Sequence, residues 1–501
     1  MPDGESGEAV RVAIALVETG DVAGAITLLD RALARFPNDP QVLTVLAALH
    51  RRQGRLRDAL LHCDAAIRAA PGYADAWLER GFAFASGGSM ARAGECYRQV
   101  LALDPGNVAA HAALASIAAR DGDGEAARSH AGAALSGDPD NPTATLALAA
   151  AEIEHGDVDR ARDLLEALVA RLPEPVPDRS QAWTLLGDAC ARLGDADRAY
   201  AAYEHANADF AAIHAGHFAG RAPHREFVTQ ICEAVATIEF TPGSVGQPPR
   251  AAANHVFLLG YPRSGNTLLE NALASLSEVV ALEERPTMRE ADREFLAAPD
   301  GLARLAALTP AELRPYTDGY WERVVQAGID PRGKTFVDMD PLKGTRLPLI
   351  ARLFPQAKVL VMRRDPRDVV WSCFKTSFGL TNTAMDFTTL DGVAAHYDAM
   401  MHLIETSRER LQLAFHEVRY EALVTDFDAT TQALCRFVGT PWNEAMRRFD
   451  RTAQARGVST ASAGQVRRGL YDGSGQWRPF ARYLEPVMPR LEPWIERLGY
   501  A

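Results

Sequence analysis

In the first half of the chain, apolar residues return every three to four positions within short segments that end at glycine or proline. That spacing puts them on one face of an amphipathic helix. The segments themselves recur. Glycines stand at Gly20, Gly54, Gly88, Gly122 and Gly156, alanines at Ala25, Ala59, Ala93, Ala127 and Ala161, and prolines at Pro37, Pro71, Pro105, Pro139 and Pro173, each step being 34 residues. A sixth copy, Gly194 and Ala199, follows 38 residues on, after the insertion Glu174-Pro175-Val176-Pro177. Glycine lets the chain turn between paired helices, alanine lets them approach closely, and proline stops the second helix. One pair cannot bury its apolar face alone, so stacked copies are predicted to form an all-α solenoid over residues 8–207 with a concave surface. Trp77, Trp183 and the recurring leucines read as its core. Residues 208–240 read as a helical cap, and Thr241-Pro242-Gly243-Ser244 then breaks the periodicity, so 208–253 is assigned as capping helix and linker.

The second half changes pattern. Four apolar, β-prone runs (256–259, 335–337, 359–362 and 411–418) alternate with helical segments. The alternation predicts an α/β domain over 254–501 with a mostly parallel sheet, ligands gathering where the strands end.

Composition narrows the function classes. At 501 residues the chain is too long for one core. Its first residues, Met1-Pro2-Asp3-Gly4-Glu5, carry neither a basic nor an apolar leader region, and no apolar stretch approaches the roughly 20 residues that span a bilayer. The six cysteines are scattered with no C-x-x-C pair, which argues against a zinc site or disulfide framework and fits a reducing cytoplasm. Residues 1–253 hold 22 Lys and Arg against 34 Asp and Glu, while residues 254–501 hold 31 of each. The acidic first half is a poor nucleic-acid binder. All four lysines, Lys334, Lys343, Lys358 and Lys375, lie in the second half.

The candidate chemistry sits at the strand ends. After the first run, Gly260-Tyr261-Pro262-Arg263-Ser264-Gly265-Asn266-Thr267 follows the G-x-x-x-x-G-K-[ST] phosphate-loop spacing, except that Asn266 stands at the lysine position. A nucleoside triphosphatase needs that ammonium on the β- and γ-phosphates, whereas here Arg263 carries the cation inside the loop. The loop resembles the 5′-phosphosulfate loop of sulfotransferases, roughly P-[RK]-S-G-T-T. After the third run, Asp365 can cap a helix beginning at Pro366, which puts Arg364 at the strand tip and Ser372 two turns into the helix. That arrangement resembles the family's 3′-phosphate site, where arginine gives a bidentate charge and serine a hydroxyl. Val418-Arg419-Tyr420-Glu421-Ala422-Leu423-Val424 resembles its V-x-Y-E-x-L-V segment, and Phe437-Val438-Gly439-Thr440-Pro441-Trp442 its F-L-G-x-P-W. Ser462-Ala463-Gly464-Gln465-Val466 with Trp477 and Arg478 resembles the loop that closes over the nucleotide. The first-half register resembles the tetratricopeptide repeat, and the branch joining such repeats to a domain like tyrosylprotein sulfotransferase is the nearest fit.

The resemblance implies sulfuryl transfer from 3′-phosphoadenosine-5′-phosphosulfate to a hydroxyl acceptor (a tyrosine, another phenol or a peptide) without a metal, with a peptide or protein partner in the repeat groove. It implies that Arg263 offsets charge on the leaving 5′-phosphate and that Ser264, Gly265, Asn266 and Thr267 donate hydrogen bonds. It adds Arg364, Ser372, Tyr420 and Ser462 to the nucleotide-binding set. Counting without gaps from Arg263 to a segment resembling G-E-E-T-R assigns Glu284 as the general base, with Glu283 as the alternative. Two departures stand out: Asn266 replaces a threonine, and Met339 replaces the family's lysine two residues before Pro341, leaving Lys343 or Arg263 alone to supply that charge. A non-catalytic scaffold that binds nucleotide is therefore a second reading, and a P-loop kinase or NTPase a third.

Overall fold

The computed structural model describes residues 4–241, 252–456, 466 and 469–501. The chain divides into two compact units, residues 1–174 with 181–195, and residues 175–180 with 196–501.

The first unit is a run of helix pairs, from Glu5–Glu18 with Val22–Arg35 to Pro142–His155 with Val158–Arg171. The 34-residue register has a clear physical basis. Gly20, Gly54, Gly88, Gly122 and Gly194 turn the chain at positive φ, which a side chain would disfavour. The register alanines Ala25, Ala59, Ala93, Ala127 and Ala161 are all fully buried where helices meet. Gly156 departs, at φ −141°. There the space beside the glycine is taken by the carboxylate of Glu152, which pairs with Arg128 and Arg160.

The second unit is α/β. Among the described residues it has five strands rather than the four expected: β1 (Asn254–Leu259), β2 (Val279–Glu283), β3 (Thr335–Met339), β4 (Lys358–Arg363) and β5 (Ala414–Arg419). All pair in parallel, in the order β2-β3-β1-β4-β5. β1 is central, with Val256 opposite Val337 on one side and Lys358 on the other, and nearly every residue of it is buried. Burial on both faces is why it reads as an unbroken apolar run. β5 is an edge strand and stays half exposed. From β1 the chain builds first toward β2 and β3 and later toward β4 and β5, so the end of β1 is the switch point where α/β sheets open a crevice.

Helix His224–Thr237 packs along Leu390–Arg410, which builds the 208–240 stretch into this unit. In helix Ala196–Ile213, Tyr200 stacks on Tyr483 at 3.8 Å, and Tyr203 meets Trp371, itself stacked on Phe480 at 3.9 Å. Among the described residues no helix is long and apolar enough to cross a membrane.

Candidate functional site

The loop after β1 is shaped by backbone constraints. A side chain on Gly260 would stand 2.8 Å from the Met362 carbonyl oxygen, so only glycine allows β1 and β4 to close at this level. Gly265, at φ +103°, begins helix Asn266–Ala274 and leaves room for the Tyr420 ring. Between them the Tyr261 carbonyl accepts the Ser264 N–H at 3.2 Å and the Asn266 side-chain amide at 2.9 Å. Asn266 thus folds back to brace the loop, where the Walker lysine would reach forward. Its Oδ1 is buried with no partner among the described residues.

Among the described residues, two non-glycine residues adopt positive φ: Arg263 at +68° and Glu284 at +44°. Such backbone costs on the order of 1 to 3 kcal/mol and persists only where the surroundings impose it. Arg263 is held by its Nε, which donates to Ser372 Oγ at 3.0 Å. Glu284 follows β2, and its N–H donates to the Met339 carbonyl at 2.8 Å, continuing the β2–β3 ladder past the strand end. Both line one cleft of about 460 Å³ together with Thr267, Asp340, Phe378 and Phe387. The Glu284 side chain opens to this cleft and keeps contact with solvent through it. Desolvation, then repulsion from Asp340, Glu283 and Glu270, pushes its carboxyl up to about 7, against a smaller opposing pull from Lys343.

A smaller hollow shares Arg263, Gly265 and Thr267 with the cleft and adds Arg364, Tyr420 and Tyr471. Helix Pro366–Lys375 starts as its sequence requires: Asp365 accepts the Arg367 N–H, and Pro366 occupies the first turn. Arg364, nearly fully buried, donates to the Arg263 carbonyl at 2.8 Å and to the Gly473 carbonyl, and lies 4.6 Å over the Tyr420 ring. Its Nε is buried with no partner among the described residues. Tyr420 in turn donates to the Tyr471 carbonyl and accepts the Gly473 N–H. Asp368 takes the Gly475 and Trp477 N–H groups, holding the late loop against the helix. Arg263, Ser372, Arg364 and Tyr420 therefore converge from three separate segments. Ser462 lies outside the described residues.

Lys343 does not reach toward the cleft. It is buried, and its ammonium engages Asp338, which also accepts from Thr287 Oγ1 and the Tyr320 hydroxyl, both at 2.9 Å. Met339 is buried in the core beneath the sheet. Sequence reasoning had not singled out Asp338, Asp340, Tyr471 or the 377–387 segment. The last carries no motif and is recognisable only once its fold places it on the cleft.

Residues 255–444 match the profile of the sulfotransferase family. Tetratricopeptide-repeat profiles match 12–74, 64–108, 78–142, 118–187 and 180–207. An uncharacterized protein of Aquifex aeolicus is 27% identical over 251 residues, 48% of this chain and 33% of that one. Protein-tyrosine sulfotransferase 1 of Danio rerio is 24% identical over 257 residues, 49% of this chain and 72% of that protein. Protein-tyrosine sulfotransferase A of Caenorhabditis elegans is 23% identical over 261 residues, 49% of this chain and 67% of that protein. The chain thus joins tetratricopeptide repeats to a C-terminal sulfotransferase-family domain, and its match spans only a third of the Aquifex relative.

Proposed function

We propose that this chain, a sulfotransferase-family domain following tetratricopeptide repeats, transfers a sulfuryl group from 3′-phosphoadenosine-5′-phosphosulfate to a hydroxyl acceptor such as a tyrosine or other phenol. The observation that carries the reading is that Arg263 and Glu284, both at left-handed backbone, line one cleft with the carboxyl raised to about 7. A carboxylate titrating near neutrality suits a general base, which must both exist ionised and take up a proton.

The residues present fit the nucleotide. The buried Nε of Arg364, with no partner among the described residues, can donate to a phosphate oxygen. Arg364, Ser372 and Tyr420 would hold the 3′-phosphate end, and Arg263 with Ser264, Gly265, Asn266 and Thr267 the 5′ end, helped by the positive end of helix Asn266–Ala274. When bound, the donor supplies the sulfuryl group. Arg263 offsets negative charge on the 5′ side, Glu284 takes the acceptor's hydroxyl proton, and Phe378 and Phe387 give the acceptor an apolar wall. In this reading the repeats recruit the acceptor or a protein partner, as such concave solenoids do, and the six free thiols support a reducing, cytoplasmic setting.

One observation favours a second reading, a scaffold that binds nucleotide without turnover. Met339 cannot supply the family's leaving-group cation, and Lys343 is committed to Asp338. Calorimetry with 3′-phosphoadenosine-5′-phosphate in EDTA, followed by labelled-sulfate turnover over phenols, tyrosyl peptides, sugars and lipids, separates the two. Binding with turnover supports the transferase, binding without it the scaffold, and ATP binding alone would refute both.

A further inference from the structure

Tyr261 lies between Gly260 and Pro262, and its carbonyl is the acceptor on which Ser264 and Asn266 close the phosphate loop. Its side chain runs the other way. The ring is buried against Phe387 and Tyr397, and the hydroxyl stands 2.8 Å from His396 Nδ1. His396 is fully buried, and its Nε2 stands 2.9 Å from His224 Nδ1, the two rings stacked at 5.2 Å. His224 lines a second cavity of about 430 Å³ with Phe227, Leu296, Asn382 and Met385. The three side chains form one hydrogen-bonded file from that cavity to the loop.

We propose that Tyr261, His396 and His224 are positioning residues: the file pins the Tyr261 ring, and through its carbonyl the phosphate loop, so that nucleotide affinity depends on two histidines that do not line the cleft. The inference rests on the nucleotide-binding reading above. Burial lowers His224 to about 4 and His396 to about 3, so both rings are neutral at physiological pH, each with one N–H and one lone pair. Every link can then be satisfied, and a satisfied buried polar chain fixes one arrangement, whereas a broken one leaves an uncompensated group. The loop needs such an anchor because Arg263 and Gly265 both hold it in left-handed backbone.

Asparagine and glutamine distinguish pinning from packing. Asn places its amide where Nδ1 stands and keeps the link to Tyr261. Gln is nearer in size to histidine but reaches only the Nε2 position, toward His224. His396→Gln leaves the Tyr261 hydroxyl only the Val393 carbonyl at 3.4 Å. It should weaken 3′-phosphoadenosine-5′-phosphate binding by about fivefold or more, as expected for the loss of one good buried hydrogen bond, and should speed hydrogen exchange of residues 261–269 in the nucleotide-free protein. His396→Asn should do clearly less of both. His224→Ala opens a ring-sized hole onto the second cavity, and added imidazole should restore slow exchange and affinity while thiophene, which fills space without hydrogen bonding, should not. A Gln variant equal to or better than Asn, or imidazole no better than thiophene, overturns the proposal. Wild-type protein that fails to bind the nucleotide would end the functional reading instead, and the exchange ranking would still judge the file.

Discussion

Replacing Glu284 by glutamine removes the proposed base while keeping its shape. Its carboxyl is raised to about 7, first by desolvation and next by Asp340. Such a group is about half ionised at pH 7 and about one-tenth ionised at pH 6. The carboxylate is the form that accepts a proton, so wild-type kcat/KM should rise with pH, falling about tenfold per unit below that midpoint. Glu284→Gln cannot accept the proton, and turnover should drop by about 10² to 10⁴, or roughly 2.7 to 5.5 kcal/mol of barrier, with nucleotide affinity unchanged. The residual rate should also lose its acid limb. Asp340→Asn gives an independent check of sign. Removing that like charge favours the ionised form of Glu284, so the limb should move to lower pH. Initial rates on a phenol and a tyrosyl peptide across the limb, with calorimetry for the nucleotide, measure all three. A Glu284→Gln enzyme as fast as wild type, or one that keeps the same acid limb, would refute the assignment and pass the role to Glu283.

Arg364→Ala removes the cation whose buried Nε has no partner among the described residues, and should weaken 3′-phosphoadenosine-5′-phosphate binding by about 1.5 to 3 kcal/mol in EDTA calorimetry. Lys343→Met leaves Asp338 buried and uncompensated, and should cost about 3 to 5 kcal/mol in denaturant unfolding; Asp338→Asn added to it should recover most of that loss. A fragment of residues 1–195 should be mainly helical by circular dichroism and melt cooperatively, since each pair is stabilised by its neighbours. Extending it to residue 240 should increase light scattering, because Tyr200 and Tyr203 would lose Tyr483 and Trp371.

Where structure depends on neighbours along the chain, the sequence by itself determined it. Helix pairing follows from a 34-residue register whose glycines turn at positive φ and whose alanines are buried. The central strands follow from unbroken apolar runs, and the cap at Asp365 from an acid placed just before proline. The phosphate loop was legible for the same reason, because six consecutive residues carry its geometry. Short β2 was not, since five residues closing on glutamate give too little pattern to separate a strand from a helix end. Long-range partners were hidden altogether. That Lys343 turns to Asp338 is decided by burial, because a charge with no water must face the nearest opposite charge. That the Glu284 carboxyl is pushed up to about 7 depends first on the desolvation and then on the Asp340 charge that other elements bring beside it. The file from Tyr261 to His396 to His224 joins residues 135 and 172 positions apart, and helix His224–Thr237 packs on Leu390–Arg410, an element from far along the chain. Local periodicity can specify an element, but which buried polar groups meet is settled by the packing that removes their water.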